Sequence, residues 1–573
     1  MITEKSLRKL FCKRLFMCVF SMALVALFLS ARALQLNVLN KDFLQSQGNA
    51  RYLRVVNVPA HRGMILDRNG EPLAISTPVK SVWADPQQLL GARAQLPKLA
   101  AMLNVGYPEL LKTLKSKGDK EFVYLKRHIT PVLEQQISAL NLPGIGFQRE
   151  YRRYYPSREV TAQYLGLTDV DDNGQEGIEL AFDDELKGVS GSKRVIKDRM
   201  GHIVEDLESV NEPIPGKDVV LALDRRLQYL AYREIKNAVI EHQAESGSVV
   251  VLDVRTGELL AMTNYPSFNP NNRASMDSRY LRNRALTDAF EPGSTMKPFA
   301  ILAGLASDTV NEDSIIDTSP GSYRLGRSRI HDHSNLGPVS LRTILQKSSN
   351  VGASKIALQT PPQSTWQLLH ALGFGQAAIG SFPGEASGSL TDYKNWRDID
   401  RATLAYGYGI STSVLQLARA YSVFGNAATV KSIALTKKSY LDPYEGSDPG
   451  VAKTTVTDVR SMLEAVVEKG GTGPRAAVKG YRIAGKTGTA EILSDQGEYR
   501  SDAHRSLFSG VAPASDPRLA IVVMVDDPKG KEYYGGVVAA PVFAKIMKGA
   551  LRMYNIAPDD LPLDGGEHVA MLQ

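Results

Sequence analysis

The stretch that decides the fold reads FEPGSTMKPF, from Phe290 to Phe299, and it begins the apolar run MKPFAILAGLA. Pro292 and Gly293 end the element that precedes Ser294, and Pro298 suits the first turn of a helix. The pattern therefore predicts a helix that starts at Ser294. Because residues three apart share one face of a helix, Ser294 and Lys297 are expected to lie in contact.

A serine and a lysine in contact suit nucleophilic catalysis. A serine hydroxyl attacks well only when a base takes its proton, and a lysine amine is a base only when it is neutral, which burial favours. The free N–H groups of a helix N-terminus also stabilise an oxyanion. The motif alone decides little, because Ser-x-x-Lys occurs at Ser6/Lys9, Ser190/Lys193 and Ser294/Lys297. An ordinary helix N-cap at Ser294 is the competing interpretation.

Two further motifs follow in a fixed order. Ser348 and Asn350 form Ser-x-Asn between two amphipathic stretches, VSLRTILQ and VGASKIALQ, and this predicts a junction between two helices. Lys486-Thr487-Gly488-Thr489 comes later, and its flanks YRIA and AEI predict a strand. Ser-x-x-Lys, Ser-x-Asn and Lys-Thr-Gly in this order form the serine set of penicillin-binding proteins and serine β-lactamases.

The chain resembles the class B penicillin-binding proteins, and within them the septal transpeptidases of the FtsI, or penicillin-binding protein 3, type of Gram-negative bacteria. The strings that carry the resemblance are FEPGSTMKP, QKSSNVGASK, AYGYGISTSVLQLARAY and GYRIAGKTGTAE. The resemblance extends from the N-terminal apolar segment to about Ala557. It implies an α+β fold with a penicilloyl-serine transferase domain, in which helices flank an antiparallel sheet and a second half is all helical.

The resemblance also implies a substrate and a role for each motif residue. The substrate is the peptidoglycan stem peptide ending in D-Ala-D-Ala, and the intermediate is an acyl-enzyme on Ser294. The implied catalytic set is Ser294 as nucleophile, Lys297 as its base, Ser348 as proton relay to the leaving amine, Asn350 as holder of Lys297 and the substrate amide, and Lys486 as positive charge. The implied substrate-binding strand is Thr487, Gly488 and Thr489, with the threonines on the substrate carboxylate.

Two tyrosine motifs and one histidine pair allow more than one interpretation. Tyr408 in YGYG, and Tyr533 with Tyr534 in YYGG, suit either core packing or the wall of a cleft, and the resemblance implies that they border the active-site groove. His331-Asp332-His333 resembles a metal-binding clip but lacks a visible third ligand, so a solvated loop is the favoured interpretation. No metal and no other cofactor is expected.

The N-terminus predicts a membrane anchor. Residues 1–14 contain five basic side chains against one glutamate, and residues 15–31 contain no charge. This length is near the lower limit for crossing a bilayer, and the preceding basic residues predict a cytoplasmic N-terminus. Ala31-Arg32-Ala33 also resembles a signal-peptidase site, which leaves a cleaved signal peptide as the alternative. Both cysteines, Cys12 and Cys18, precede residue 31, so the exported part contains no thiol.

The predicted domains follow from these segments. They are a cytoplasmic N-terminus at 1–14, a transmembrane anchor at 15–34, an elongated mixed pedestal or dimerisation domain at 35–217, a transpeptidase domain at 218–556 and a C-terminal tail at 557–573. In the pedestal, Asn69-Gly70 predicts a hairpin, and the arginines and acids, among them Arg62 and Glu179, predict internal ion pairs. Residues 86–142 are expected to be helical, and Pro541 to lie in the first turn of the closing helix.

Partners follow from what the chain lacks. The pedestal is too short for a glycosyltransferase domain, so the resemblance implies a separate FtsW-type polymerase in the inner membrane and other divisome proteins. The net charge of +7 is small for 573 residues, and no basic block indicates nucleic acid. β-Lactam antibiotics are expected to acylate Ser294.

Competing functions remain at this stage. An elongation-type enzyme or a second, condition-specific class B transpeptidase would carry the same motifs. A β-lactamase shares the trio, but the class A string E-x-x-L-N is absent between Asn350 and Lys486. A non-catalytic division scaffold would need no intact trio. Gly480 to Thr487 also matches the P-loop pattern, but the glycine after Thr487 leaves no room for the helix that a P-loop requires.

Overall fold

The computed structural model describes residues 4–44, 46, 53–197, 203–425, 428–438, 446–494 and 497–560. The chain folds as two compact units, each made of several segments. The smaller unit contains Met1–His61, Pro78–Tyr151 and Gly188–Pro215, and the larger contains Arg62–Thr77, Arg152–Lys187 and Gly216–Gln573. The predicted C-terminal tail lies mostly outside the described residues.

The strands are numbered in chain order as β1 Leu53–Val58, β2 Ile65–Leu66, β3 Pro72–Ala84, β4 Val123–Ile129, β5 Ile145–Tyr154, β6 Gly191–Lys197, β7 Ile203–Asn211, β8 Val219–Val220, β9 Ser246–Asp253, β10 Leu259–Tyr265, β11 Ile315–Asp317, β12 Ser322–Leu325, β13 Ser328–His331, β14 Pro338–Ser340, β15 Val430–Lys431, β16 Gly446–Ser447, β17 Ala484–Leu493, β18 Tyr499–Ala512 and β19 Leu519–Asp526.

The α-helices are α1 Glu4–Leu34, α2 Pro86–Leu89, α3 Leu96–Leu103, α4 Tyr107–Ser116, α5 Pro131–Ser138, α6 Ala162–Leu165, α7 Gly177–Ala181, α8 Asp183–Leu186, α9 Arg225–Glu241, α10 Arg284–Thr287, α11 Lys297–Ala306, α12 Leu341–Lys347, α13 Asn350–Gln359, α14 Pro362–Ala371, α15 Asp398–Leu404, α16 Val414–Tyr421, α17 Lys453–Glu464 and α18 Gly535–Met553.

The predicted membrane segment is a continuous helix. The apolar span Leu7–Leu39 covers α1 from Leu7 onward and the helical turn Gln35–Leu39 after it, and its mean hydropathy reaches 2.1. Its side chains are not buried against the protein. Because a helix rises about 1.5 Å per residue, this span is long enough to cross a bilayer. Cys12 and Cys18 are exposed, unpaired thiols on this helix.

The smaller unit contains a sheet and a cluster of short helices. β1, β6 and β7 pair antiparallel in the order β1-β6-β7. Within 86–142, α3 buries Leu96, Leu99, Ala100 and Leu103, the spacing of one helical face. The prediction that 86–142 is helical is wrong at β4, because this segment pairs antiparallel with Lys80–Ala84.

A hairpin and a buried ion cluster stabilise the part of the predicted pedestal that folds with the larger unit. Asp67 Oδ1 accepts hydrogen bonds from the N–H groups of Asn69 (2.7 Å) and Glu71 (2.9 Å), which fixes the predicted turn between β2 and β3. Glu179 accepts from Arg62 Nε (2.8 Å) and Arg153 Nε (2.7 Å), and all three side chains are at most 2% exposed. The predicted internal ion pairs are therefore confirmed.

A five-stranded antiparallel sheet, in the order β10-β9-β19-β18-β17, forms the centre of the larger unit. Successive side chains of a strand point to opposite faces, so Val249 and Val251 join the core that includes α9 and α18. Val250 and Leu252 join the core that includes α11 and α16. Because both faces are covered, β9 and β19 are buried almost throughout, and the apolar runs VVVL and LAIVVMV in them predict this.

The helical half is built around α11. Residues Lys297 to Gly304 are all buried, which is typical of a helix surrounded by protein on every side. A Cβ at Gly304 would lie 2.8 Å from Ile356 Cγ2, so glycine lets α11 and α13 approach closely. The strongly apolar run MKPFAILAGLA is thus the central helix of this half.

The position predicted for Pro541 is wrong. α18 begins at Gly535, so this proline lies inside the helix and not in its first turn. The helix starts earlier because the Gly535 N–H donates to Thr489 Oγ1 (3.1 Å) on β17. The proline removes one backbone hydrogen bond, and the packing of the helix on the sheet outweighs that loss.

Glu179 should be critical for stability. We expect Glu179→Gln to lower the free energy of unfolding by about 3–5 kcal/mol, because it removes the charge that two buried guanidinium groups share, and only Arg62 keeps another carboxylate, that of Asp183. Glu71→Gln is the matched control: its pair with Arg225 is 54% and 41% exposed, and exposed pairs contribute about 1 kcal/mol or less. Thermal unfolding of the detergent-purified protein measures both. Equal effects of the two variants would contradict the buried cluster.

Candidate active site

Ser294 and Lys297 are in contact. A single 3₁₀ turn, Gly293–Met296, carries Ser294, and α11 starts directly after it at Lys297. Residues three apart eclipse each other in a 3₁₀ turn, and 2.8 Å separates Lys297 Nζ from Ser294 Oγ. The α-helix thus starts three residues later than predicted. Ser294 makes no capping hydrogen bond at this helix end, so the N-cap interpretation is wrong.

Four oxygen atoms surround Lys297 Nζ: Ser294 Oγ at 2.8 Å, Ser348 O at 2.6 Å, Ser348 Oγ at 2.9 Å and Asn350 Oδ1 at 2.7 Å. A neutral amine donates two protons and accepts one. The carbonyl oxygens of Ser348 and Asn350 can only accept, so the two donated protons suit them. The lone pair is then left for a hydroxyl, which can donate. The arrangement therefore fits an amine that accepts a proton from Ser294.

Burial also favours the neutral amine. The Lys297 side chain is fully buried, and the loss of water holds its pKa well below the usual lysine value. The positive charge of Lys486 lowers this pKa further, and the Asp332 carboxylate opposes both effects.

The second motif lies at the predicted junction of two helices. α12 ends at Lys347, Ser348 takes a left-handed conformation with φ of 62°, and α13 begins at Asn350. This turn aims both the carbonyl and the hydroxyl of Ser348 at Lys297 Nζ. Ser349 Oγ accepts from the Gly352 N–H (2.9 Å) and caps α13. The junction thus places alternate residues, Ser348 and Asn350, in the cleft.

The third motif lies on β17, an end strand of the sheet. Lys486 Nζ donates to Ser348 Oγ (3.0 Å) and to the Thr487 carbonyl (3.0 Å), so the Ser348 hydroxyl lies between the two lysines. Burial lowers the pKa of Lys486 to about 7. Lys486 and Thr487 continue the strand and start no helix, so the P-loop interpretation is wrong.

Glycines bring the segments of the site into backbone contact. A Cβ at Gly407 would lie 2.1 Å from the Gly293 carbonyl oxygen, and a Cβ at Gly488 would lie 2.8 Å from Thr295 Cγ2. Any other residue at these positions would displace the turn that carries Ser294. Glycine at position 488 therefore allows the strand to pack closely against the turn that carries Ser294.

The motifs meet in a cleft with a volume of about 740 Å³. Ser294, Ser348, Asn350, Thr487 and Thr489 line it, while Lys297, Lys486 and Gly488 lie behind these residues. Tyr408, Tyr533 and Tyr534 line the same cleft, so they form its wall and not the core. The rings of Tyr533 and Tyr534 stack with centroids 4.5 Å apart.

Several residues that line the cleft were not among the predicted site residues. They include His333, Tyr406, Thr472, Arg475, Glu491 and His504. Strand alternation could have found Glu491, because it continues the face of Thr487 and Thr489 on β17. Its cross-strand partner on β18 is His504, which stacks on Tyr533 at 4.0 Å. Thr472 came from a loop without a local signal, and its Oγ1 lies 2.7 Å from Thr487 Oγ1.

The His-Asp-His segment holds no metal-binding cluster among the described residues, where no group of three such ligands is found. His331 and His333 are exposed, as the loop interpretation predicts. That interpretation is wrong for Asp332, whose carboxylate accepts a hydrogen bond from Ser349 Oγ at 2.6 Å.

Two family models match the chain. Residues 247–548 match the penicillin-binding protein transpeptidase domain, and residues 57–221 match the penicillin-binding protein dimerisation domain. Peptidoglycan D,D-transpeptidase FtsI of Escherichia coli K12 is 43% identical over 539 residues, which is 93% of this chain and 90% of that one. Probable peptidoglycan D,D-transpeptidase PbpC of Pseudomonas aeruginosa is 40% identical over 549 residues, which is 96% of each chain.

Solved structures agree with these matches. Penicillin-binding protein 3 of Mycobacterium tuberculosis, in complex with aztreonam, superposes with a TM-score of 0.68 at 27% identity, over 88% of this chain and 98% of that one. The transpeptidase domain of Burkholderia pseudomallei penicillin-binding protein 3 gives a TM-score of 0.55 at 39% identity, over 60% of this chain and 98% of that domain.

The chain therefore belongs to the penicillin-binding protein transpeptidase family. The dimerisation domain ahead of the transpeptidase domain places it in class B, and its relatives place it with the FtsI, or penicillin-binding protein 3, type, as the motif strings predicted. The predicted α+β fold class is confirmed.

The pKa of Lys486 should set the alkaline limb of acylation by penicillin. Lys486 loses its charge as the pH rises through about 7 in the free protein, so the second-order acylation rate should fall above that pH. We expect Lys486→Arg to move this limb upward by more than roughly one unit, because a guanidinium stays charged. Stopped-flow acylation between pH 5 and pH 10 measures the profile.

Lys347→Arg is the control, because this exposed lysine at the end of α12 donates to the Gly470 carbonyl and not into the site. An alkaline limb that stays in place in Lys486→Arg would assign it to another group.

Proposed function

We propose that the chain is a peptidoglycan D,D-transpeptidase with Ser294 as its nucleophile. The observation that carries the proposal is the 2.8 Å contact of Ser294 Oγ with Lys297 Nζ, an amine that is fully buried and has its protons directed to Ser348 and Asn350. Curated relatives over more than nine-tenths of the chain are named peptidoglycan D,D-transpeptidases, which supports the substrate class.

In the acylation step, Lys297 Nζ takes the proton of Ser294 Oγ as the oxygen attacks the carbonyl of the penultimate D-Ala. The N–H groups of Ser294 and Thr489 are proposed to hold the oxyanion, and each such donor contributes roughly 3 kcal/mol. The N–H of Ser294 suits this role because the first N–H groups of a helical turn lack a partner within it.

The C–N bond then breaks and the terminal D-Ala leaves as a free amine. Ser348 passes its hydroxyl proton to that amine and takes in exchange the proton that Lys297 Nζ received, a role that fits the position of this hydroxyl between Lys297 Nζ (2.9 Å) and Lys486 Nζ (3.0 Å). In the second half-reaction, the amine of a neighbouring stem attacks the acyl-serine, and Ser294 recovers its proton. A β-lactam follows the first half-reaction only, because its leaving amine stays attached to the acyl group.

The donor stem is proposed to bind along β17. As an end strand, β17 can add one further extended strand at its free edge, and a peptide backbone supplies that strand. Thr487 and Thr489 would hold the terminal carboxylate, with Lys486 adding positive charge. Tyr408, Tyr533 and Tyr534 would cover the acyl side of the stem, because they line the same cleft.

The membrane arrangement is part of the proposal. The basic residues before the apolar span favour a cytoplasmic N-terminus, which would place the transpeptidase domain in the periplasm. We assign 1–14 to the cytoplasm, 15–34 to the anchor, 35–217 to the pedestal, 218–556 to the transpeptidase domain and 557–573 to the tail. A membrane polymerase of the FtsW type and other divisome proteins are the proposed partners, and septum formation is the proposed setting, as the FtsI relatives suggest.

Ser294→Ala should abolish labelling by a fluorescent penicillin, because the label stays on the protein only through an ester bond to Ser294 Oγ. Ser190→Ala is the matched control, since Ser190 and Lys193 form the same Ser-x-x-Lys string outside the site. Gel fluorescence of membranes measures both. Labelling of Ser294→Ala at the wild-type rate would contradict the assignment, and turnover of many penicillin molecules per second would favour a β-lactamase.

One reporter tests both the membrane topology and the role in septum formation. A fluorescent protein that matures only in the cytoplasm should give a mid-cell band when fused before residue 1 and should stay dark when inserted after residue 40. Microscopy of growing cells makes both measurements. Fluorescence along the side wall would favour an elongation-type enzyme. Fluorescence from the insertion after residue 40 would show that this position lies in the cytoplasm and would contradict the proposed topology.

A further inference from the structure

Asp332 contacts the Ser-x-Asn motif although it lies outside the three catalytic motifs. Its Oδ1 accepts from the backbone N–H groups of Asn350 (2.5 Å) and Val351 (3.0 Å), and its Oδ2 accepts from Ser349 Oγ (2.6 Å). The carboxylate thus makes three hydrogen bonds to three consecutive residues at the start of α13. It comes from a different element, the segment directly after β13.

These contacts complete the N-terminus of α13. A helix leaves its first N–H groups without intrahelical partners. Asp332 takes the first two of them, and Ser349 Oγ takes the third, from Gly352. A carboxylate is also favoured there by the helix dipole. The start of α13, and with it the Ser348 turn, is therefore fixed from outside the helix.

The same segment sets the orientation of the Asn350 side chain. Its Nδ2 donates to the His331 carbonyl (3.0 Å), and this leaves Oδ1 to face Lys297 Nζ (2.7 Å). The backbone of His331–Asp332 is in turn held because the Asp332 N–H donates to the Gly321 carbonyl (2.9 Å). The amide therefore presents an acceptor, and not a donor, to the catalytic amine.

We propose that Asp332 is a positioning residue for catalysis: it holds the Ser348–Asn350 turn so that both protons of the neutral Lys297 amine are directed away from Ser294. The inference rests on the proposed function. Without the carboxylate, the Ser348 carbonyl and Asn350 Oδ1 lose their fixed places, and the lone pair of the amine no longer faces Ser294 Oγ.

The charge of Asp332 gives this role a readout that a purely structural cap would not move. Among the described residues, Lys486 on β17 and Asp332 are the charged groups that act on Lys297, and α12 and α13 present only the polar groups of Ser348 and Asn350 to it. The Asp332 carboxylate raises the pKa of Lys297 against the effect of burial. Removal of that charge should lower the pKa and move the acid limb of acylation to lower pH.

The test compares Asp332→Ala, Asp332→Asn and Ser349→Ala in the full chain. Asp332→Ala should lower the acylation rate by roughly 10- to 100-fold, the range expected when reacting groups lose their alignment. Asp332→Asn keeps the shape of the side chain, so its acylation rate should fall less. The acid limb of its pH profile should move to lower pH. Ser349→Ala should lower the rate with the limb in place, because the charge remains.

Asp224→Asn is the matched control. Asp224 also accepts from a backbone N–H at a helix start, that of Arg226 (2.9 Å), but it lies outside the active site. This variant should lower the melting temperature and leave the acid limb unchanged. Asp332 variants that melt lower but keep the wild-type rate and acid limb would overturn the proposal and leave Asp332 as a structural cap.

A second measurement does not depend on Ser294. The ¹⁵N shift of Lys297 Nζ, followed against pH in the wild-type chain and in Asp332→Asn, should show a lower midpoint in the variant. An unchanged midpoint would overturn the proposal even if penicillin labels Ser294. Failure of labelling in the wild-type chain, with the midpoint shifted as expected, would instead count against the proposed function.

Discussion

The burial of one amine, Nζ of Lys297, is the constraint on which the rest of the site depends. A charged amine inside protein is costly, so burial holds the pKa of this nitrogen well below the usual lysine value and favours its neutral form. Burial is possible because α11 is covered on every side by apolar side chains. The oxygens that satisfy the amine come from Ser294, Ser348 and Asn350, so two distant parts of the chain must fold together before the base exists.

The edge of the sheet supplies the other half of the site. β17 pairs with β18 on one side, and its residues from Lys486 to Thr489 reach the turn that carries Ser294. An unpaired strand edge is normally a risk for aggregation. Here the start of α18 contacts Thr489 through the Gly535 N–H, and the Tyr533–Tyr534 pair lines the cleft beside it. This end strand therefore forms one side of the cleft.

The sequence predicted the residues of the three catalytic motifs better than the residues that hold those motifs in place. The three motifs were predicted at a helix start, a helix junction and a strand, because each has a local signal in spacing or flanking residues. The structure places them there, except that α11 starts three residues later than predicted. Asp332 was missed because a carboxylate that caps a helix from another element has no fixed distance to that helix in sequence. Thr472 was missed because the loop that carries it has no local signal in the sequence. Pro541 was misplaced because packing of α18 on β17 overrode a local preference, and β4 was missed because its strand partner is remote.

The glycine contacts behind Ser294 restrict how such an enzyme can escape an antibiotic. A Cβ added at Gly407 would lie 2.1 Å from the Gly293 carbonyl oxygen. A substitution there therefore moves the nucleophile, which harms transpeptidation as well as acylation by a β-lactam. The side chains of Glu491, His504, Tyr533 and Tyr534 line the cleft without holding that turn. Changes of specificity that preserve cell-wall synthesis are therefore confined to the rim of the groove, where a side chain meets the variable part of an inhibitor.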